Sequence, residues 1–500
     1  MDRPFERPEC CVLAGSAAAG VPTGSPQVNA WAIARKPLIL NMKTTWEPWQ
    51  PPLARTKTRR HDAHDLDERM VRLRRRIMPG GAAPRIGGLA LLILVMTVAA
   101  DAQSLLQAGK GDQTIAPAST AETMDVFDLW RKLRHKEPDA RSDAWDYRKP
   151  MVAVAPVIGA KPSSGALFGA AGNVAFYRGD PSATQISSVV TSLTFSTKKQ
   201  TSLTNRFTIF GPDSRWRVDG DQRFQWTSLD TFGLGTSADT RTGVLADFDF
   251  FRLHQTAFYR LRPALYAGAG LYFDTHTDVG PGDGEEPAWT ESPYAAYSQA
   301  HGLPLDSQTA AGTSLDLLWD SRDSFINARD GWLAKASYRT LFDGFLGGDS
   351  SWQKLTLDVR TYVHLSRDRR HRLAFWGFAD LVVGGVAPYF DLPSTAGDAY
   401  GRSARGYAEG QFRGERLAYG EIEYRGTLTQ NGLLGMVAFF NTTTVTNLAA
   451  DEHIFDSFAP AGGAGLRLLI NKRSRTNLCF DVGVGKQGSK GIYLAVQEAF

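Results

Sequence analysis

From Met151 to Phe500 the chain alternates apolar and polar side chains with a period of two, in stretches longer and more numerous than an ordinary soluble sheet carries. In residues 352–366, Leu355, Leu357, Val359, Val363 and Leu365 share one face, while Lys354, Thr356, Asp358, Arg360 and His364 share the other. In 372–383, Leu373, Phe375, Ala379, Leu381 and Val383 face one way, with Arg372 and Asp380 opposite. Near the end, Leu478, Phe480, Val482 and Val484 oppose Asn477, Asp481 and Gly483. A period of two is strand geometry, because successive side chains leave a pleated strand on opposite faces.

About sixteen such segments are legible, at 151–159, 165–177, 186–197, 200–211, 214–228, 243–261, 263–275, 308–321, 331–342, 350–367, 370–384, 413–428, 433–447, 457–470, 476–486 and 489–500. Short turns such as Gly211-Pro212-Asp213-Ser214 alternate with longer connections, chiefly 276–307 and 385–412. An even number of tall strands, each with one apolar and one polar face, suits an all-β transmembrane antiparallel β-barrel with lipid outside and water inside. The last segment reads Ile492, Val496 and Phe500 on one face, an aromatic ending common among outer-membrane barrels. A soluble β-sandwich is the rival fold. It would bury one face of each sheet against another and needs neither an export signal nor strands this tall.

Mean hydropathy is −0.26, too polar for a helical membrane protein and ordinary for a barrel whose strands alternate. The net charge of +4 comes largely from residues before Asp101, and no basic stripe with interleaved aromatics points to nucleic acid. Of three cysteines, Cys10 and Cys11 lie near the start and only Cys479 falls in the patterned region, so no disulfide can form within it. No metal-ligand spacing and no cofactor motif is found. The histidines are scattered without a nucleophile partner, and there is no Gly-x-Ser-x-Gly elbow, so an enzyme is not expected. Gly280 to Glu286 is acidic without calcium-loop spacing and reads as a solvated loop.

Arg72, Arg74, Arg75, Arg76 and Arg85 precede an apolar run from Ile86 to Ala100, followed by Ala100-Asp101-Ala102. A basic stretch, an apolar core of roughly 15 residues and an Ala-x-Ala step read as a secretory signal peptide at 70–102, cleaved beside Ala100 and Ala102. The alternative is an inner-membrane anchor, for which the run is short. Residues 1–69 read as a non-native or disordered extension ahead of the true start. Residues 103–150 are too few for an independent core. Within them Met124 to Leu133 is amphipathic and predicts a short helix, in a tether or a plug.

The chemistry concentrates between 402 and 425: Arg-Ser-Ala-Arg405-Gly406-Tyr407-Ala-Glu-Gly-Gln-Phe-Arg-Gly-Glu-Arg-Leu-Ala-Tyr-Gly-Glu421-Ile-Glu423-Tyr-Arg425. An arginine in a Gly-rich loop is usually solvated. Here, however, Asp358, Arg360, Glu421, Glu423 and Arg425 project from the polar faces of flanking strands, and a guanidinium fork suits bidentate pairing in a confined polar cavity.

This stretch resembles the barrel domain of the bacterial surface antigen family, the BamA/TamA-type outer-membrane assembly barrels. Ala404-Arg405-Gly406-Tyr407 matches that family's Arg-Gly-aromatic loop step, and Glu421, Glu423 and Arg425 match the acidic strand after it. Trp319-Asp320-Ser-Arg322-Asp323 through Gly331, Gly463-Ala-Gly-Leu-Arg467 and Asp481-Val-Gly-Val-Gly485 resemble further family stretches. The resemblance spans about residues 150 to 500 and covers the barrel only. It implies a lumenal loop before the last five strands, held inside the barrel by Arg405 against a Phe-x-Asp motif. The matching residues are Phe439-Phe440-Asn441, so an amide stands in place of the carboxylate, which weakens the clamp or moves the ion pair to Glu421, Glu423 or Asp481.

The resemblance further implies a protein of the bacterial outer membrane, embedded in its lipid, that assembles or translocates proteins there. Its clients would be unfolded outer-membrane proteins, received where a weak seam between first and last strands opens. Pro156, which has no backbone donor, sits in the first strand and would weaken that seam; it would equally suit a bulge or a strand end of no function. Family members that handle clients carry periplasmic POTRA domains, and 103–150 cannot hold one. A partner chain would supply such modules. A passive channel or structural barrel without client activity is the other reading.

Overall fold

The computed structural model describes residues 123–134, 146–161, 165–282, 289–366 and 368–500. The signal segment with Ala100 and Ala102, the extension at 1–69, most of 103–150 and the acidic residues 283–286 lie outside the described residues.

Sixteen strands follow in chain order: β1 (Met151–Lys161), β2 (Gly165–Phe176), β3 (Ser187–Ser196), β4 (Thr201–Phe210), β5 (Trp216–Thr231), β6 (Val244–Arg262), β7 (Leu265–Pro281), β8 (Ser307–Asp320), β9 (Trp332–Leu341), β10 (Trp352–His364), β11 (His371–Gly385), β12 (Arg416–Thr427), β13 (Leu434–Val445), β14 (Ala459–Asn471), β15 (Thr476–Gly485) and β16 (Lys490–Val496). Each pairs antiparallel with the next, in one sheet that runs from β1 to β16 without a crossover. The sheet curls until its edges lie side by side, giving a nearly closed barrel. No ladder joins β1 to β16 among the described residues.

Two environments enforce the alternation. Large apolar side chains on the outer face stay exposed to whatever surrounds the barrel, among them Val154, Phe168, Leu271, Leu315 (71%), Phe440, Leu466 and Val484. A soluble protein does not leave so much contiguous apolar surface bare, whereas hydrocarbon covers it at no cost. Trp216, Tyr259, Trp319 and Trp332 form an aromatic belt on this wall at the end carrying the β4–β5, β6–β7 and β8–β9 turns, with the Trp216 and Tyr259 rings 4.7 Å apart. No described helix is long and apolar enough to cross a membrane.

The inner face is polar and paired. Arg223 and Arg206 meet Asp221, at 2.7 and 3.2 Å. Arg217 and Arg322 share Asp320, and Arg252 bonds Asp274 at 2.7 Å. Lys354 reaches Asp380 at 2.7 Å, and Arg360 reaches Asp358 at 2.6 Å. In a confined interior each such charge needs a partner, because an isolated buried ion costs several kcal/mol.

The expected strands and the observed ones agree closely, with two departures. β7 runs on to Pro281, so the connection expected from 276 begins later. The other departure concerns the expected last strand at 489–500. It stops at Val496, Gln497 takes a positive φ of 81°, and residues 497–500 turn into the barrel. Phe500 therefore does not share an outer face with Ile492: it is buried, its ring 5.2 Å from that of Trp376 on an inner face.

Two short helices complete the described chain. Val126–Leu133 (α1) coincides with the amphipathic stretch and has a capping box between Asp125 and Asp128. Pro293–Ala300 (α2) sits in the β7–β8 connection, where a loop was expected; Ser292 caps it and Pro293 starts it. Its buried Tyr294 and Tyr297 pack on Tyr389, and the Tyr297 hydroxyl donates to the Ala387 carbonyl at 3.0 Å.

Candidate functional site

The β11–β12 connection, residues 386–415, folds into the barrel. Tyr389 starts the descent: its hydroxyl donates to the Phe232 carbonyl at 2.7 Å and its amide to Gln308 Oε1 at 3.1 Å. Arg413 closes the loop from the other side, donating to the Tyr389 carbonyl at 2.7 Å. Between them lies Arg405, only 2% exposed.

Three strands supply the partners of Arg405. Its guanidinium donates to Glu421 and Glu423 of β12 and, at 2.7 Å, to Asp481 of β15. The Phe439 ring of β13 lies under it, 3.8 Å from centroid to guanidinium carbon, a cation–π contact strengthened by desolvation. Alternation in β12 makes this possible, because residues two apart aim both glutamates inward. Asn441, also on β13, gives no charge. Its Nδ2 donates to the Arg405 carbonyl at 3.0 Å and to Glu421 at 3.4 Å, so the amide holds the loop's backbone rather than its guanidinium.

Gly406 and Tyr407 complete the seat. Gly406 has φ 113° and packs on the backbone of Gly483, where a Cβ would lie 2.9 Å from the Gly406 nitrogen. Two facing glycines thus let loop and wall touch main chain to main chain. The Gly406 amide donates to the Tyr493 hydroxyl at 2.8 Å, and the Tyr407 hydroxyl to the Pro460 carbonyl at 2.5 Å.

Arg425 is not among the partners of Arg405. It bonds Glu423 at 2.6 Å, donates to the main-chain oxygen of Phe500 at 2.8 Å and lies 4.8 Å from the Phe500 ring centroid. Asp358 and Arg360 pair with each other on β10, away from Arg405. Pro156 lies inside β1, opposite Ala170 of β2, on an edge strand where a missing donor is tolerated.

Several residues of the assembly lay in the quoted stretches but carried no assigned role in the sequence. Arg402 donates to the carbonyls of Val496 and Gln497, at 3.0 and 3.1 Å, and to that of Glu498. Arg467 bonds both Asp481 and, at 2.7 Å, Glu498. Tyr419 donates to Glu421. One signal was available. Continued alternation past Val496 would have aimed Glu498 outward with Ile492 and Leu494, placing a carboxylate in hydrocarbon. The turn at Gln497 brings it inside instead, where Arg467 and Asn477 meet it. Beside the loop the lumen keeps a cavity of about 570 Å³, lined by inner-face arginines and aspartates and by Phe500.

A sixteen-stranded barrel with a long loop folded inside, its arginine ringed by wall carboxylates, defines a transmembrane barrel whose lumen is occupied by its own chain. The chain belongs to the Omp85 superfamily, whose domain model matches residues 192–487. That membership places the barrel in the bacterial outer membrane. Among solved structures it is similar to BamA from Haemophilus ducreyi lacking POTRA domains 1-3, at 14% identity and TM-score 0.46 over 70% of this chain and 69% of that one. It is also similar to CdiB from Acinetobacter baumannii, at 10% identity and TM-score 0.45, over 69% of this chain and 59% of that one. CdiB from Escherichia coli gives 12% identity and TM-score 0.42, over 69% and 61%. No curated protein matches the chain in sequence.

Proposed function

We propose that this barrel aids the insertion or export of proteins at the outer membrane, through a weak seam between β1 and β16 and a loop pinned in the lumen by Arg405. The observation that carries the reading is the seam. β1 and β16 lie side by side without a ladder, and the chain leaves β16 at Gln497 to enter the lumen. A strand edge with unpaired main-chain groups is a template for strand addition, in which backbone bonding gives affinity without regard to sequence. Pro156 leaves one donor fewer on that edge strand. Membership of the Omp85 superfamily favours the same reading. Unfolded outer-membrane proteins are then the clients, and a periplasmic partner chain supplies POTRA-like modules.

Depleting the protein and quantifying the outer-membrane proteome tests this. Levels of some other barrels fall if the protein handles clients. Unchanged levels of all of them would overturn the client role and leave a passive channel. Planar bilayers separate the two independently: a loop-filled translocator gives small, erratic conductance, and a porin gives large, steady steps.

A further inference from the structure

Helix α1 is tied down along one edge and bare along the other. Asp125 accepts from the Lys472 amide at 3.1 Å, Asp128 from the Lys472 ammonium at 2.8 Å, and the Met124 amide donates to the Asn431 carbonyl at 2.9 Å. These bonds fix the helix to the barrel rim formed by the β12–β13 and β14–β15 turns. The opposite face carries Phe127, Trp130 and Leu133, which are 50, 55 and 66% exposed, and no residue of the helix is buried. At 3.6 residues per turn these three side chains share one side, turned away from Asp128. None of residues 123–134 lines the lumenal cavity.

An eight-residue helix is marginal in water unless an apolar face finds cover. The outer wall indicates what that cover is. Its apolar band reaches this same rim through Leu428 and Leu434, both exposed, and the tryptophan belt lies at the same end. The charge agrees: Lys132, one turn on from Asp128, and Arg134, 4.4 Å over the Trp130 ring, are both exposed to solvent.

We propose that α1 lies in the plane of the membrane at this rim, with Phe127, Trp130 and Leu133 among the acyl chains and Lys132 and Arg134 at anionic lipid headgroups. The helix is an interfacial anchor continuous with the barrel's lipid-facing wall, independent of any client role.

The test uses the full chain in vesicles of phosphatidylethanolamine and phosphatidylglycerol, with Cys10→Ser and Cys11→Ser and the buried Cys479 left in place. An environment-sensitive fluorophore is attached at Phe127→Cys or, separately, at Lys132→Cys. Lipids bearing a nitroxide on the acyl chain quench the label at 127 severalfold more than the label at 132, and aqueous iodide reverses that order. Equal iodide quenching at both positions overturns the proposal. Leu133→Cys, which keeps Phe127 and Trp130, repeats the measurement should the first variant unfold the helix. Exchanging phosphatidylglycerol for phosphatidylcholine lowers acyl-chain quenching at 127 by about twofold or more, as expected for loss of roughly 1 kcal/mol per basic residue. Identical quenching in both vesicle types overturns the headgroup contacts.

Discussion

Arg405 is one cation among three carboxylates, which makes it the residue whose loss leaves most unbalanced. Taking it away leaves Glu421 without a cation, while Glu423 keeps Arg425 and Asp481 keeps Arg467, and breaking a buried pair this way costs about 3–5 kcal/mol. Arg405→Ala is therefore expected to lower the urea midpoint of the purified barrel and to open residues 386–415 to protease; wild-type resistance of that loop would show the cage to be dispensable. Asn441 yields a sharper expectation. The resemblance implies an aspartate there, yet Asn441→Asp would aim a carboxylate at two acceptors, the Arg405 carbonyl and Glu421. The change is expected to destabilise by about 1–3 kcal/mol, because a donor is lost and a buried charge gained without a partner. A rise in the unfolding midpoint of that variant would contradict it. The fork of Arg405 and the inward glutamates were legible in the sequence. Phe439 was reachable only through the resemblance, and its place as a ring beneath the guanidinium comes from the structure, because spacing along one strand says nothing of what a loop from elsewhere lays upon it.

At the scale of elements, alternation exposed nearly the whole sheet. A strand between lipid and water must change polarity at every residue, so the period survives in segments as different as β2, rich in Ala and Gly, and β6, rich in aromatics. Alternation breaks where tertiary contacts override it. Past Val496 the chain bends because Arg402 gathers the carbonyls of Val496, Gln497 and Glu498, and Arg467 takes the Glu498 carboxylate. These partners lie far away in sequence, so no local pattern announces the bend. Arg402→Ala removes three charge-assisted bonds from one short segment. Backbone hydrogen exchange of residues 491–500 is expected to rise by roughly tenfold or more, consistent with about 1.5–3 kcal/mol for bonds to a charged group. Exchange at the wild-type rate would mean that Arg467 and Arg425 hold the segment unaided.

For the whole molecule, the sheet order makes every described ladder local and leaves closure and the seating of the loop as long-range events. Such a barrel is expected to migrate faster on a gel before heating than after, and a purified product that stays soluble without detergent would contradict the membrane reading of its outer face. The inward loop also touches strands from widely separated parts of the circumference. Tyr389 bonds the residue that follows β5, Arg405 bonds β12 and β15, and Arg402 bonds β16 and the residues after it. A half-built sheet has nowhere to deposit that loop, since the last of its berths appears only when the final hairpin has arrived. Its seating is thus a tally of completed walls, and a protease acting on 386–415 would distinguish finished barrels from stalled ones.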